Sequence, residues 1–124
     1  MNIVIIEDEK PAARLLTREL EKLGFTVQES LYSVGEAIPW FMQHEHPDLI
    51  FADIQLTDGL SLEIFEQVEI KSAIIFVTSF DHYAIKAFKL NSIDYLLKPI
   101  ESSDLLGAIN KYKTQKSIIA NKIR

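Results

Sequence analysis

Carboxylates, a hydroxyl and a lysine stand at the ends of four apolar runs in this sequence. Glu7 and Asp8 follow the first run, Asp53 and Thr78 close two later runs, and Lys98 follows the last. Crowded carboxylates repel one another, and a divalent cation relieves that conflict. Oxygen ligands without His or Cys among them favour Mg²⁺. A metal and an ammonium beside a carboxylate would stabilise a transferring phosphoryl group, for which a carboxylate is a known covalent acceptor.

The elements that must position these side chains follow an alternating pattern. Residues 3–6, 49–52 and 73–77 are continuous β-branched-rich runs, and residues 25–27 and 95–97 are weaker strand candidates. Such runs are typical of strands buried on both faces of a parallel sheet. Helix-period stretches lie between them, so the pattern predicts an α/β fold, a doubly wound five-stranded parallel sheet. Sites in these sheets form beyond the carboxyl ends of the strands, where the polar residues are expected to converge.

Five helices are predicted, and the first two carry clear end signals. Pro11 suits the first turn of one helix and Gly24 its C′ position. Ser33 and Glu36 form a capping box for the second, although Pro39 should either kink that helix or delay its start, and we favour the kink. The apolar stripes are Ala12, Leu16, Leu20 and Leu23 in the first helix, Leu62, Phe65 and Val68 in the third, residues 83–90 in the fourth, and residues 105–112 in the fifth.

Composition excludes several classes of protein. The 124 residues contain no cysteine, which excludes a disulfide scaffold, and no apolar run approaches the roughly 18 residues of a membrane span. Residues 1–104 hold 18 acids and 8 bases, whereas residues 105–124 hold 5 bases and no acid. This acidic body argues against a duplex-DNA surface. The N-terminus lacks the basic region of a signal peptide, so we expect one cytoplasmic domain without membrane or direct nucleic-acid contacts.

Each candidate also has an ordinary structural explanation. Acids at strand-to-helix junctions often cap helices, and a lysine before a proline is usually a solvated loop residue. These explanations weaken when five such residues fall at the ends of four strands. The pair His44 and His46 lacks further ligands at useful spacing and is predicted to lie in a solvated loop.

The sequence resembles the receiver domain of bacterial two-component response regulators. The resemblance rests on the acidic pair in IIEDE, Asp53 in LIFADIQL, Thr78 in IFVTS, and Lys98-Pro99, spaced 45, 25 and 20 positions apart from Asp8 onward. It covers residues 1–115, the predicted receiver domain, and leaves residues 116–124 as the end of the last helix or the start of a linker. The stretches DIQLTDG, YAIKAF and NSIDYLLKP resemble receivers that precede a LytTR-type DNA-binding domain.

The resemblance implies a flavodoxin-like sheet of strand order 2-1-3-4-5, an order also found in a chemotaxis receiver. It also implies that a sensor histidine kinase transfers a phosphoryl group to Asp53, which becomes a 4-aspartylphosphate. Mg²⁺ would be bound directly by Asp8 and Asp53, through water by Glu7, and by the main-chain carbonyl of Gln55. The chain would act as a signalling switch, catalysing only its own phosphorylation and slow dephosphorylation, and would control a DNA-binding output domain.

The remaining implied roles concern the phosphoryl oxygens and the switch. Thr78 and Lys98 would hold phosphoryl oxygens, and Tyr95 would be the aromatic that rotates on activation, although its position alone favours an ordinary half-buried strand residue. A cis bond before Pro99 would turn the Lys98 ammonium back over the acidic cluster. Thr57 stands where many receivers carry Pro, so the loop after the acceptor is expected to be less rigid. Glu7 replaces the commoner Asp and lengthens one metal arm.

A phosphorylation-dependent homodimer is expected through the fourth helix, fifth strand and fifth helix. That face carries Lys86, Lys89, Asp94 and Lys111, with Ile85 or Ile93 as its apolar centre.

Two other functions stay open at this point. A phosphohydrolase of the haloacid-dehalogenase kind also uses a strand-end Asp, Mg²⁺ and a lysine, but it places a second Asp where this chain has Gln55. The third reading is an interaction module that is not phosphorylated, against which the intact Asp53, Lys98 and acidic pair argue.

Overall fold

Strands and helices alternate along the chain in a computed structural model that describes residues 1–79 and 92–123. The predicted fourth helix, residues 83–90, lies outside these ranges. The elements in chain order are β1 (Asn2–Ile6), α1 (Lys10–Lys22), β2 (Thr26–Leu31), α2 (Val34–Gln43), β3 (Leu49–Ala52), β4 (Gln55–Leu56), β5 (Gly59–Leu60), α3 (Leu62–Gln67), β6 (Ala73–Thr78), β7 (Asp94–Leu97) and α4 (Ser102–Ile123). The last of these, α4, corresponds to the predicted fifth helix.

Five of the strands form one parallel sheet with the order β2-β1-β3-β6-β7. This is the expected 2-1-3-4-5 order, because β4 and β5 form a separate antiparallel pair. Ile6 pairs with Ala52, Ala52 with Phe76, and Thr78 with Leu97. The carboxyl ends of four strands therefore meet at one edge of the sheet.

Both faces of the sheet are covered, which explains why its central strands are continuous apolar runs. Ile3 and Ile5 pack on the side of α1 and α4, while Val4 and Ile6 pack on the side of α2 and α3. All four side chains are fully buried. The central strands are thus held by packing on both faces, and this packing also limits the movement of the residues that directly follow them.

The ends of α1 follow the sequence signals. Pro11 lies in the first turn, and Gly24 has a φ of +91° just beyond the helix. The N–H of Gly24 donates to Glu21 O and that of Phe25 to Leu20 O, both at 3.0 Å, which is the Schellman arrangement. Phe25 thus closes the helix, and β2 starts one residue later than predicted and extends further.

Helix α2 begins where the capping box predicts. Ser33 Oγ accepts a 3.0 Å hydrogen bond from the N–H of Glu36, and the helix runs on through Pro39. A delayed start is therefore wrong, while the kink at Pro39 stays a prediction.

The last helix is longer than its predicted core segment, residues 105–112. Tyr112 packs in the core, whereas residues 113–118 are exposed although still helical. None of the helices in the described ranges combines the length and the apolarity needed to cross a membrane.

Burial in α1 makes a direct prediction about stability. Leu20 is fully buried, whereas Leu15 on the same helix is 55% exposed. Leu20→Ala is expected to lower the free energy of unfolding by about 2–5 kcal/mol, because it removes buried apolar surface and leaves a cavity. Leu15→Ala is the matched control, expected to change it by no more than about 0.5 kcal/mol. Urea denaturation measures both values, and equal losses would contradict the packing described.

Candidate functional site

The strand ends bring the three sequence-predicted carboxylates together. Glu7 and Asp8 directly follow β1, and Asp53 directly follows β3 beside it. One carboxylate oxygen from each of the three lies within 4.8 Å of the others. The cluster therefore results from the sheet register, and its oxygens are the hard ligands that Mg²⁺ prefers.

Lys98 forms ion pairs with two of these carboxylates. It follows β7, and its Nζ donates hydrogen bonds to Glu7 Oε1 and, at 3.0 Å, to Asp53 Oδ2. Its backbone N–H donates to Thr78 O at 2.8 Å, which ties the residue to the end of β6. The peptide bond between Lys98 and Pro99 is cis.

Burial and the charged neighbours determine the protonation of the cluster. The pKa of Glu7 is raised to about 7, with burial as the largest cause; Lys98 acts to lower this pKa, while Asp8 and Asp53 add to the rise. Burial alone would lower the pKa of Lys98, but its bonds to Glu7 and Asp53 outweigh that effect and raise it. The lysine is therefore an ammonium, and without it the buried glutamate would hold a proton more tightly.

Asp8 has the opposite balance. Burial acts to raise its pKa, but hydrogen bonds with Thr57 and Glu7 bring that pKa below the ordinary value. Asp8 is half-buried and bonded to Thr57, whereas Glu7 is buried and Asp53 is bonded to Lys98.

Two buried oxygens at this edge make no hydrogen bond with the described residues. They are Asp53 Oδ1 and Thr78 Oγ1. A buried polar atom without a partner costs about 1–3 kcal/mol, so each one requires an explanation. Their position beside the acidic cluster is what a site that receives a metal ion or an anion requires.

The roles of Gln55 as a metal ligand and of Tyr95 as the switch aromatic stay predictions. Gln55 begins β4, two residues after Asp53, and its side chain is exposed. Tyr95 is half-buried on β7 and packs beside Phe76, with the ring centroids 6.3 Å apart.

The turn between β4 and β5 contains two interactions that sequence reasoning missed. Thr57 Oγ1 donates a 2.7 Å hydrogen bond to Asp8 Oδ2. Asp58 accepts hydrogen bonds from the N–H groups of Val34 and Gly35 at the start of α2, each at 2.9 Å. The only signal in the sequence is an Asp-Gly pair typical of a turn. It cannot show which distant helix the aspartate caps.

The two histidines take structural positions. His46 bonds through one ring nitrogen with Phe41 O and through the other with the N–H of Lys71. The ring of His44 stacks on Trp40 at 4.4 Å. The predicted solvated loop fits the exposed His44, whereas His46 is half-buried and bonded at both ring nitrogens.

Residues 3–110 match the family model of the response regulator receiver domain. The chain belongs to this family. It is 33% identical to the sensory transduction protein LytT of Bacillus cereus, over 94% of this chain and 48% of that protein. It is 34% identical to the transcriptional regulatory protein LytR of Staphylococcus aureus, over 94% of this chain and 49% of that protein. The receiver spans about half the length of these curated relatives.

Solved receiver structures share the fold. The response regulatory domain of protein mrkE from Klebsiella pneumoniae superposes with a TM-score of 0.80 at 28% identity, covering 93% of this chain and 97% of that one. The family works by phosphorylation-dependent signalling. The sheet edge that carries the acidic cluster is therefore the candidate phosphorylation site of this receiver.

The ion pairs of the receiver predict a titration shift. Lys98→Met is expected to raise the pKa of Glu7 above its value of about 7 in Mg²⁺-free buffer, because Lys98 favours the ionised form. Carboxyl-carbon NMR titration measures it. Lys22→Met removes an exposed lysine that bonds Glu19 at 3.3 Å, and it serves as the control. A Glu7 pKa that stays constant in Lys98→Met would mean that this ion pair is unimportant.

Proposed function

We propose that this receiver is a phosphorylation switch in which Asp53 accepts a phosphoryl group from a sensor histidine kinase. The observation that carries the proposal is the Lys98 ammonium 3.0 Å from Asp53 Oδ2, beside an Asp53 Oδ1 that has no hydrogen-bond partner among the described residues. A nucleophilic oxygen and a fixed positive charge thus lie at the same carboxylate.

Mg²⁺ is the cofactor that the cluster suits. Asp8 and Asp53 would bind the ion directly, Glu7 through a water molecule, and Gln55 through its main-chain carbonyl. Three carboxylate oxygens within 4.8 Å of one another support this assignment. When bound, Mg²⁺ supplies positive charge that neutralises the transferring phosphoryl oxygens.

The residues of the chain then divide the reaction between them. An oxygen of Asp53 forms a bond to phosphorus while the bond from phosphorus to the donor nitrogen breaks, and the nitrogen keeps that electron pair. Lys98 stabilises the charge on the phosphoryl oxygens. The hydroxyl of Thr78, buried and without a partner among the described residues, can donate to one of those oxygens.

We assign the coupling of this event to Thr78 and Tyr95. A hydroxyl that moves toward the phosphoryl group leaves space, and Tyr95 packs beside Phe76 on the neighbouring strand, where it could turn into that space. Switching needs an element with two discrete arrangements, and we assign the half-buried Tyr95 as that element.

The domain boundaries and the output of this chain are proposed from its relatives. Residues 1–115 would form the receiver, and residues 116–124 would lead toward a DNA-binding output domain that regulates transcription in the cytoplasm. The receiver would not turn over an external substrate. The relatives are twice as long, and one is a transcriptional regulatory protein, which supports an output domain.

Intact-mass measurement tests the assignment of the acceptor. Incubation with acetyl phosphate and Mg²⁺ is expected to add one phosphoryl mass, and a chelator should prevent it. Asp53→Asn should abolish the addition, whereas the control Asp48→Asn should retain it, because Asp48 bonds Asn2 at the opposite end of the strands. Unchanged phosphorylation of Asp53→Asn would refute the proposal. Rapid turnover of phosphate esters would indicate a phosphohydrolase. The absence of both phosphorylation and turnover would indicate an interaction module.

Phosphorylation is also proposed to promote a dimer through the face of β7, α4 and the predicted fourth helix. Lys86, Lys89 and Ile85 of this face lie outside the described residues. Lys111 Nζ lies 3.4 Å from Asp94 Oδ1 within the chain, and Ile93 packs half-buried against the core. Lys111 and Asp94 are therefore already paired with each other within the chain.

Sedimentation equilibrium tests the dimer. A beryllofluoride mimic of the phosphoryl group is expected to strengthen weak, salt-sensitive association, since exposed ion pairs contribute only about 0–1 kcal/mol each. The double variant Lys86→Glu and Lys89→Glu should lose this response, while Lys22→Glu on α1 should keep it. The proposed dimer face is wrong if beryllofluoride leaves the association constant unchanged, or if the double variant still responds to beryllofluoride.

A further inference from the structure

The turn between β4 and β5 reaches the acidic cluster from outside the strands that build it. Thr57 Oγ1 donates a 2.7 Å hydrogen bond to Asp8 Oδ2, joining residues 49 positions apart. Asp8 follows β1 on a strand end, and its side chain is only partly buried. The bond therefore fixes a carboxylate that packing alone leaves room to rotate.

The same turn is anchored on its other side. Asp58 binds the N–H groups of Val34 and Gly35 with one carboxylate oxygen each, both at 2.9 Å. These are the first two N–H groups of α2, which have no partner within the helix. The negative charge also lies at the positive end of the helix dipole, and the two N–H bonds lower the pKa of Asp58. The turn is thus bound to α2 while its neighbour Thr57 contacts Asp8.

We propose that Thr57 is a positioning residue for Mg²⁺, holding Asp8 through its hydroxyl, with Asp58 anchoring the turn on α2. This inference rests on the proposed function, because it assumes that Asp8 is a metal ligand. Hydrogen bonds that orient a ligating carboxylate are commonly worth 10–100-fold in metal affinity. Thr57 is exposed and bonds no other described carboxylate, so its effect on the ion passes through Asp8.

A structural role for the turn makes a different prediction. If Thr57 only stabilised the fold, its removal would lower the melting temperature equally with and without Mg²⁺. If it positions Asp8, its removal must reduce the rise in melting temperature that Mg²⁺ produces, because that rise depends on affinity. The hydroxyl, rather than the shape of the side chain, must carry the effect.

Calorimetric titration of the chain with Mg²⁺ tests the proposal. Thr57→Val is expected to bind about 10-fold more weakly, Thr57→Ala similarly, and Thr57→Ser within about 2-fold of the unsubstituted chain. Thr17→Val is the matched control, since the Thr17 hydroxyl bonds Ala13 O at 2.8 Å on α1. Its affinity should be unchanged.

The outcomes separate this inference from the function on which it rests. If the unsubstituted chain fails to bind Mg²⁺, both are overturned. If it binds and Thr57→Val binds as tightly, or Thr57→Ser binds as weakly as Thr57→Val, only the role of Thr57 is overturned. Asp58→Ala should weaken binding as Thr57→Val does, and an unchanged affinity there would refute the anchor.

Discussion

Mutual repulsion of three carboxylates at one sheet edge is the constraint on which the site depends. Their oxygens lie within 4.8 Å of one another, and Glu7 is buried, so the arrangement opposes folding unless positive charge compensates it. Lys98 supplies that charge to two of the three. Removing one member of a buried ion pair costs far more than the pair contributes, so the lysine and the acids depend on one another.

The apolar core supplies the rigidity that keeps these charges in place. Residues 3–6 of β1 and all four residues of β3 are fully buried, so the strand ends have almost no freedom to separate. Hydrophobic burial is also the largest favourable contribution in a domain of this size. The chain therefore combines a well-packed sheet with an edge that is electrostatically unfavourable, which is the usual division between scaffold and functional site.

Most of the sheet and the charged cluster were predictable from the sequence, and the turn was not. Apolar runs identify buried strands, and residues that follow parallel strands must meet, so Asp53 and Lys98 were placed together. The β4–β5 pair was missed because strands of two residues have no periodicity. Asp58 was missed because its partners at α2 lie over 20 positions away. The length of α4 was left open, because no Gly or Pro marks an end of the helix after Tyr112.

The solvent-exposed part of α4 has a mechanical consequence. Residues 113–118 are exposed, and the helix continues to Ile123, about 16 Å along its axis from Tyr112 at 1.5 Å per residue. A helix resists bending and twisting far more than a flexible linker does, so this segment acts as a stiff lever. Each residue inserted into it would rotate whatever is attached by about 100°. The direction in which the receiver holds an attached segment would therefore depend on the number of residues in this helix.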